Sequence, residues 1–131
     1  YYFKENKSTV LKWMEQLDLK TVEVAGEECF YLGELEEAEL PDCLFIFIAG
    51  FDQLLLGYEK KANLFFNPKY IRNIYTLTGI VKPVVFYKGR FVATWKRDKG
   101  TMLLDIFEDI SQQVKKELED YRQMYEEVLK Q

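Results

Sequence analysis

The stretch from Ile80 to Ile106 constrains the fold most. Two glycine turns, Lys88-Gly89 and Asp98-Lys99-Gly100, cut it into three segments of strand length, about 80–87, 90–97 and 101–106. In the middle segment Phe91, Ala93 and Trp95 alternate with Arg90, Val92, Thr94 and Lys96, so one face is apolar and the other mixed. Turns this short make two successive hairpins. Pro83 has no amide to give to a ladder, which moves the first strand towards an edge or marks a bulge there. The run from Cys43 to Ile48 is continuously apolar and reads as a strand buried on both faces. With it there are at least four strands, enough for a small antiparallel sheet or a curled barrel.

The flanking segments read as helices and a second hairpin. Ser8 to Leu19 has Val10, Trp13, Met14 and Leu17 on one helical face, with Ser8 or Thr9 placed to cap its start. Two short strands follow around Gly26, with Val22, Val24, Phe30 and Leu32 as the expected inward set. A helix running straight into a hairpin is the second half of a winged-helix module. Gly33 to Asp42 carries Glu34, Glu36, Glu37, Glu39 and Asp42 and reads as a solvated connector. Phe51 to Tyr58 reads as a helical turn or loop, and Asn67-Pro68 opens another short helix. Asp109 or Ser111 caps a long final helix whose stripe of Ile110, Val114, Leu118, Tyr121, Tyr125, Val128 and Leu129 faces the sheet. The expected architecture is α+β: residues 1–40 as the end of a winged-helix module plus acidic connector, and 41–131 as a β-barrel-like domain with the C-terminal helix packed on it.

The 131 residues, 48% of them hydrophobic, suffice for one core without a disulfide or metal staple. The absence of His excludes Ser-His-Asp triads, Cys-His dyads and His-bearing zinc sites within this chain. Cys29 and Cys43 lack CxxC spacing and read as buried free thiols of a reducing compartment, with a disulfide between them as the alternative. Phosphate-cradling glycine loops are missing, so no cofactor and no metal is called for. The longest apolar run is too short to span a bilayer and no secretory signal is visible, which points to a cytoplasmic protein without a membrane partner. A start at Tyr1 without an initiator Met points to a fragment of a longer chain.

Charge is segregated. The formal net charge is −4, yet Glu59 to Lys99 holds ten bases against two acids, and the remainder eight bases against twenty acids. A basic middle between acidic flanks is an electrostatic footprint, or else a solubilising surface whose charges pair in three dimensions.

Several motifs then carry a resemblance. Phe51-Asp52, Gly57-Tyr58, the segment from Gly79 to Val85, Gly89-Arg90 and Thr94-Trp95-Lys96 resemble the C-terminal part of a bacterial family of winged-helix DNA-binding-domain proteins. That family is related to the DNA glycosylases that excise alkylated bases and unhook interstrand crosslinks. The resemblance implies double-stranded DNA as the partner. It also implies that a glycosylase-active member carries a Gln-x-Gln or Gln-x-Asp motif in its N-terminal region. The resemblance covers the family's C-terminal part and not that N-terminal region (Gln16-Leu17-Asp18 has the Gln-x-Asp spacing but falls in the part similar to the end of the winged helix), so the chain is expected to be non-catalytic by itself and its full-length parent a candidate DNA glycosylase.

Lys60, Lys61, Lys88, Arg90, Lys96, Arg97 and Lys99 are the candidate phosphate contacts, with the hairpin tips exposed and converging on one face. Arg90 has a second role open to it, a fork with Asp52. Trp95 and Tyr58 read as core aromatics, with base stacking as the alternative. A protein–protein interaction module without a nucleic-acid role stays open as another class, and an enzyme centred on Asp52 or Tyr58 as a third.

Overall fold

A computed structural model describes residues 5–24, 26–36 and 44–129. The chain divides into two compact units, Tyr1–Leu40 and Pro41–Gln131. In the first, α1 (Lys7–Met14) precedes β1 (Lys20–Val24) and β2 (Glu27–Tyr31), which pair antiparallel. Asn6, rather than Ser8 or Thr9, caps α1: its Oδ1 accepts from the Thr9 amide at 2.9 Å. The hairpin also corrects the expected inward set. Val24 lies opposite Glu27, so a two-residue loop puts even positions of β1 across from odd positions of β2. Val22 therefore shares its half-buried face with Cys29 and Tyr31, while Val24, Phe30 and Leu32 are exposed. Cys29 is a free thiol, and Cys43 lies outside the described residues. Most of the acidic connector also lies outside them; of its acids, Glu34 forms an ion pair with Lys20.

The second unit is built on an antiparallel sheet in the order β3 (Phe45–Ile48), β4 (Val84–Tyr87), β5 (Arg90–Asp98), β6 (Thr101–Ile106). The sheet is open, which corrects the expectation of a barrel: β3 and β6 are its two edges and do not pair with each other. The β6 edge is instead met by side chains. Glu126 accepts from the Met102 amide, and Arg122 donates to the Met102 carbonyl at 3.2 Å. β4 starts only after Pro83, whose carbonyl accepts from the Trp95 amide at 3.1 Å.

A bulge decides which strand is buried on both faces. Val85 pairs with Ala93 but Phe86 pairs with Phe91, so Val92 is an extra residue in β5. Alternation breaks there, and Phe91, Val92, Ala93 and Thr94 are all buried. The apolar run expected to be buried on both faces is instead the edge strand β3, with Ile46 exposed.

Each sheet face carries its own apolar layer. Phe45, Val85, Val92 and Ala93 pack with Leu118 of α4 (Gln112–Val128). Val84 and Phe91 pack with Ile48, Leu55, Phe66, Ile74 and Tyr75, contributed largely by the irregular segment between β3 and β4. That segment holds α2 (Gln53–Leu56), a 3-10 turn at Pro68–Tyr70 and α3 (Ile71–Ile74). Of the two caps open to α4, Ser111 serves, its Oγ accepting from the Val114 amide at 3.2 Å. The α4 stripe faces the sheet as far as Tyr125, which stacks on Phe47, and then runs out into exposed Val128 and Leu129. No described helix is long and apolar enough to cross a membrane.

Candidate nucleic-acid interface

Both basic hairpin tips use the same backbone solution. Tyr87 pairs with Arg90, leaving a loop of Lys88 and Gly89 with φ of 44° and 84°. Asp98 pairs with Thr101, leaving Lys99 and Gly100 with φ of 48° and 89°. The second turn is thus two residues long, with Asp98 inside the strand. Two successive positive φ values give the mirror-image turn that matches strand twist. Glycine adopts it freely, whereas a lysine in the first position is strained by about 1–2 kcal/mol. Asn or Asp is the usual residue there, so each tip holds its ammonium at an energetic cost.

Lys60, Lys61, Lys88, Arg90, Lys96, Arg97 and Lys99 are all exposed. Among the described residues none of the seven takes part in an ion pair. They do not gather in one place. Successive turns of an antiparallel meander fall at opposite ends of the shared strand, so Lys88 and Lys99 lie roughly 30 Å apart along β5 at the usual rise per residue.

The first end holds Lys88 and Arg90, and the loop of Lys60 and Lys61 leads to it through Phe65. The Phe91 amide donates to the Phe65 carbonyl at 2.6 Å, and Tyr58 packs edge-on against Phe65 with ring centroids 5.6 Å apart. Buried Asn63 pins the same loop, donating to the Leu54 carbonyl at 2.8 Å and accepting from the Phe65 amide at 2.9 Å. The loop that carries Lys60 and Lys61 is thereby tied to the start of β5, where Lys88 and Arg90 sit. Lys60 Nζ also lies 5.0 Å from the centre of the Tyr75 ring.

The other end holds Lys96, Arg97 and Lys99. There Arg97 donates to the Leu129 carbonyl at 3.4 Å, a contact with the last turn of α4.

Two other sequence candidates have structural partners. Asp52 caps α2, accepting from the Leu54 amide at 3.0 Å, and forms no fork with Arg90. Trp95 is half-buried, donates from Nε1 to the Ile48 carbonyl at 3.0 Å and meets Phe47 edge-on. Tyr58 remains 41% exposed. Lys82, not among the candidate contacts, is half-buried.

Known proteins resemble this chain over most of its length. The sequence model of the family described as DNA glycosylase AlkZ-like matches residues 2–128. The chain belongs to this AlkZ-like family. An interstrand DNA cross-link repair glycosylase of Streptomyces sahachiroi is 30% identical over 109 residues, covering 79% of this chain and 29% of the relative. The solved structure of the DNA glycosylase AlkZ from Streptomyces sahachiroi superposes with a TM-score of 0.68 at 28% identity, covering 82% of this chain and 30% of that one. This AlkZ-like chain therefore spans less than a third of the length of either relative.

Proposed function

We propose that this AlkZ-like chain is the docking part of a DNA-repair protein: it holds double-stranded DNA and leaves bond cleavage to other parts of its parent. In this reading residues 1–40 are the end of a winged-helix module. Lys60, Lys61, Lys88 and Arg90 form the main phosphate-contacting end, and Lys96, Arg97 and Lys99 a second one. The observation that carries it is the Lys88-Gly89-Arg90 tip, where two exposed cations without carboxylate partners among the described residues stand on a strained turn. Strain and unneutralised charge at one place fit a contact made with an outside anion. The two basic ends are separated by roughly one helical repeat of a duplex, ~34 Å, so a duplex running along β5 could meet both.

The test is the double reversal Lys88→Glu and Arg90→Glu in the intact protein. Duplex affinity should fall, and the slope of log K against log salt should shrink by about one unit for each phosphate that is no longer neutralised. Folding should stay nearly unchanged, because exposed tip charges contribute little to stability. Unchanged affinity and unchanged salt dependence would remove this end as the DNA surface.

A further inference from the structure

Two polar residues are buried in the described structure, Asn63 and Thr94, both 4% exposed. Both polar atoms of the Asn63 side chain bond to backbone groups. Thr94 differs: among the described residues its hydroxyl has no hydrogen-bond partner. The oxygen is also not sealed inside the protein, since among the described residues every fully occluded side-chain oxygen or nitrogen has a partner. Thr94 lines a groove of about 400 Å³ between the Lys82-Pro83 segment and the β5–β6 pair. A bound group with a complementary atom would take the place of the water that reaches this oxygen.

The rest of the groove defines what that group is. In the β5–β6 register Thr94 lies opposite Asp105 and Lys96 opposite Leu103, and all four line the groove. Pro83 and the exposed Leu103 supply apolar walls. Lys82 and Lys96 bring two ammonium groups with no ion-pair partner among the described residues. Asp105 adds a carboxylate that only accepts.

From these groups we infer that the groove binds a single nucleotide. The phosphate meets Lys82 and Lys96, and the base lies against Pro83 and Leu103. The base edge bonds to the Thr94 hydroxyl and gives an amino hydrogen to Asp105. The volume falls in the range that small-ligand sites occupy, ~300–1,000 Å³. An acidic peptide would satisfy the two lysines but would set its carboxylates against Asp105. Because Asp105 needs a donor, bases with an exocyclic amino group bind better than thymine. The site rests on the DNA reading above only for the source of the nucleotide, which is either free or an unpaired residue of a strand.

The experiment is calorimetric titration of the intact protein with dGMP, dTMP, inorganic phosphate, a short single strand containing one guanine, and an acidic peptide. dGMP should bind more tightly than dTMP, and dTMP more tightly than phosphate. Thr94→Val keeps the shape and removes the hydroxyl. It should weaken dGMP about three- to tenfold, the worth of one neutral hydrogen bond, without lowering the thermal midpoint. Lys82→Gln should weaken dGMP and phosphate alike. Tighter binding of the strand than of dGMP assigns the site to DNA, and equal binding assigns it to free nucleotides; both support the inference. Equal binding of dGMP and dTMP, a Thr94→Val variant that binds like the parent, or binding of the acidic peptide alone overturns it. Mononucleotide binding needs no duplex, so its failure leaves duplex docking to be judged by the salt series.

Discussion

Lys88 is the residue at which stability and function separate. Its φ of 44° is one that asparagine tolerates better than lysine. Lys88→Asn should therefore raise stability by up to about 1 kcal/mol while weakening duplex binding. Urea denaturation read beside a salt-dependent binding series checks both halves. A variant that gains stability and keeps full affinity would show that the lysine is there for some other reason. Much of this residue-scale detail was open to the sequence. The basic middle of the chain stands out from a charge count alone, and the glycine turns single out the cations at their tips. What the count could not supply is their partition. Eleven positions separate Lys88 from Lys99, and closeness along the chain suggested convergence, yet a strand between two turns carries them to opposite ends. Thr94 was invisible for a different reason. Nothing in a sequence says that a buried hydroxyl lacks a partner.

At the scale of elements, α4 holds an ion-pair cluster that predicts acid behaviour. Hydrogen bonds from Arg122 hold the Glu119 carboxyl below its ordinary value of 4.5, with burial opposing them. The native state thus keeps this carboxylate ionised at pH values where the unfolded chain has begun to bind a proton. The stabilisation is present above the ordinary value and fades as the pH falls through the lowered one. Glu119→Gln should flatten that acid limb in a denaturation series across pH 3 to 6, by a small amount because the side chain is 49% exposed. The elements themselves were legible where short-range chemistry specifies them: two glycine turns delimit β4 to β6, and helical spacing delimits α4. Burial was less legible. The bulge at Val92 shifts register by one residue, which put the doubly covered strand at β5 rather than at the apolar run of β3. The faces of β1 and β2 depended on a loop length that a single glycine leaves ambiguous.

The two units differ as folding entities. Among the described residues, every fully buried one belongs to Pro41–Gln131, and Tyr1–Leu40 has none. A helix and a two-stranded hairpin without a buried core have too little apolar contact to offset chain entropy. Produced separately, residues 41–131 should unfold cooperatively with protected amides, and residues 1–40 should exchange their amides within seconds. A cooperative transition in the short piece would contradict this assignment of the core. The side-chain contacts along β6 matter at the same scale. Exposed strand edges are templates on which a second chain can add, and here the amide and carbonyl of Met102 are already taken by Glu126 and Arg122. Arg122→Ala would free that carbonyl. Its effect should appear less in the unfolding midpoint than in light scattering at high concentration, as molecules begin to join edge to edge. Arg122 thus guards the molecule against copies of itself, a duty that grows with how crowded its surroundings are.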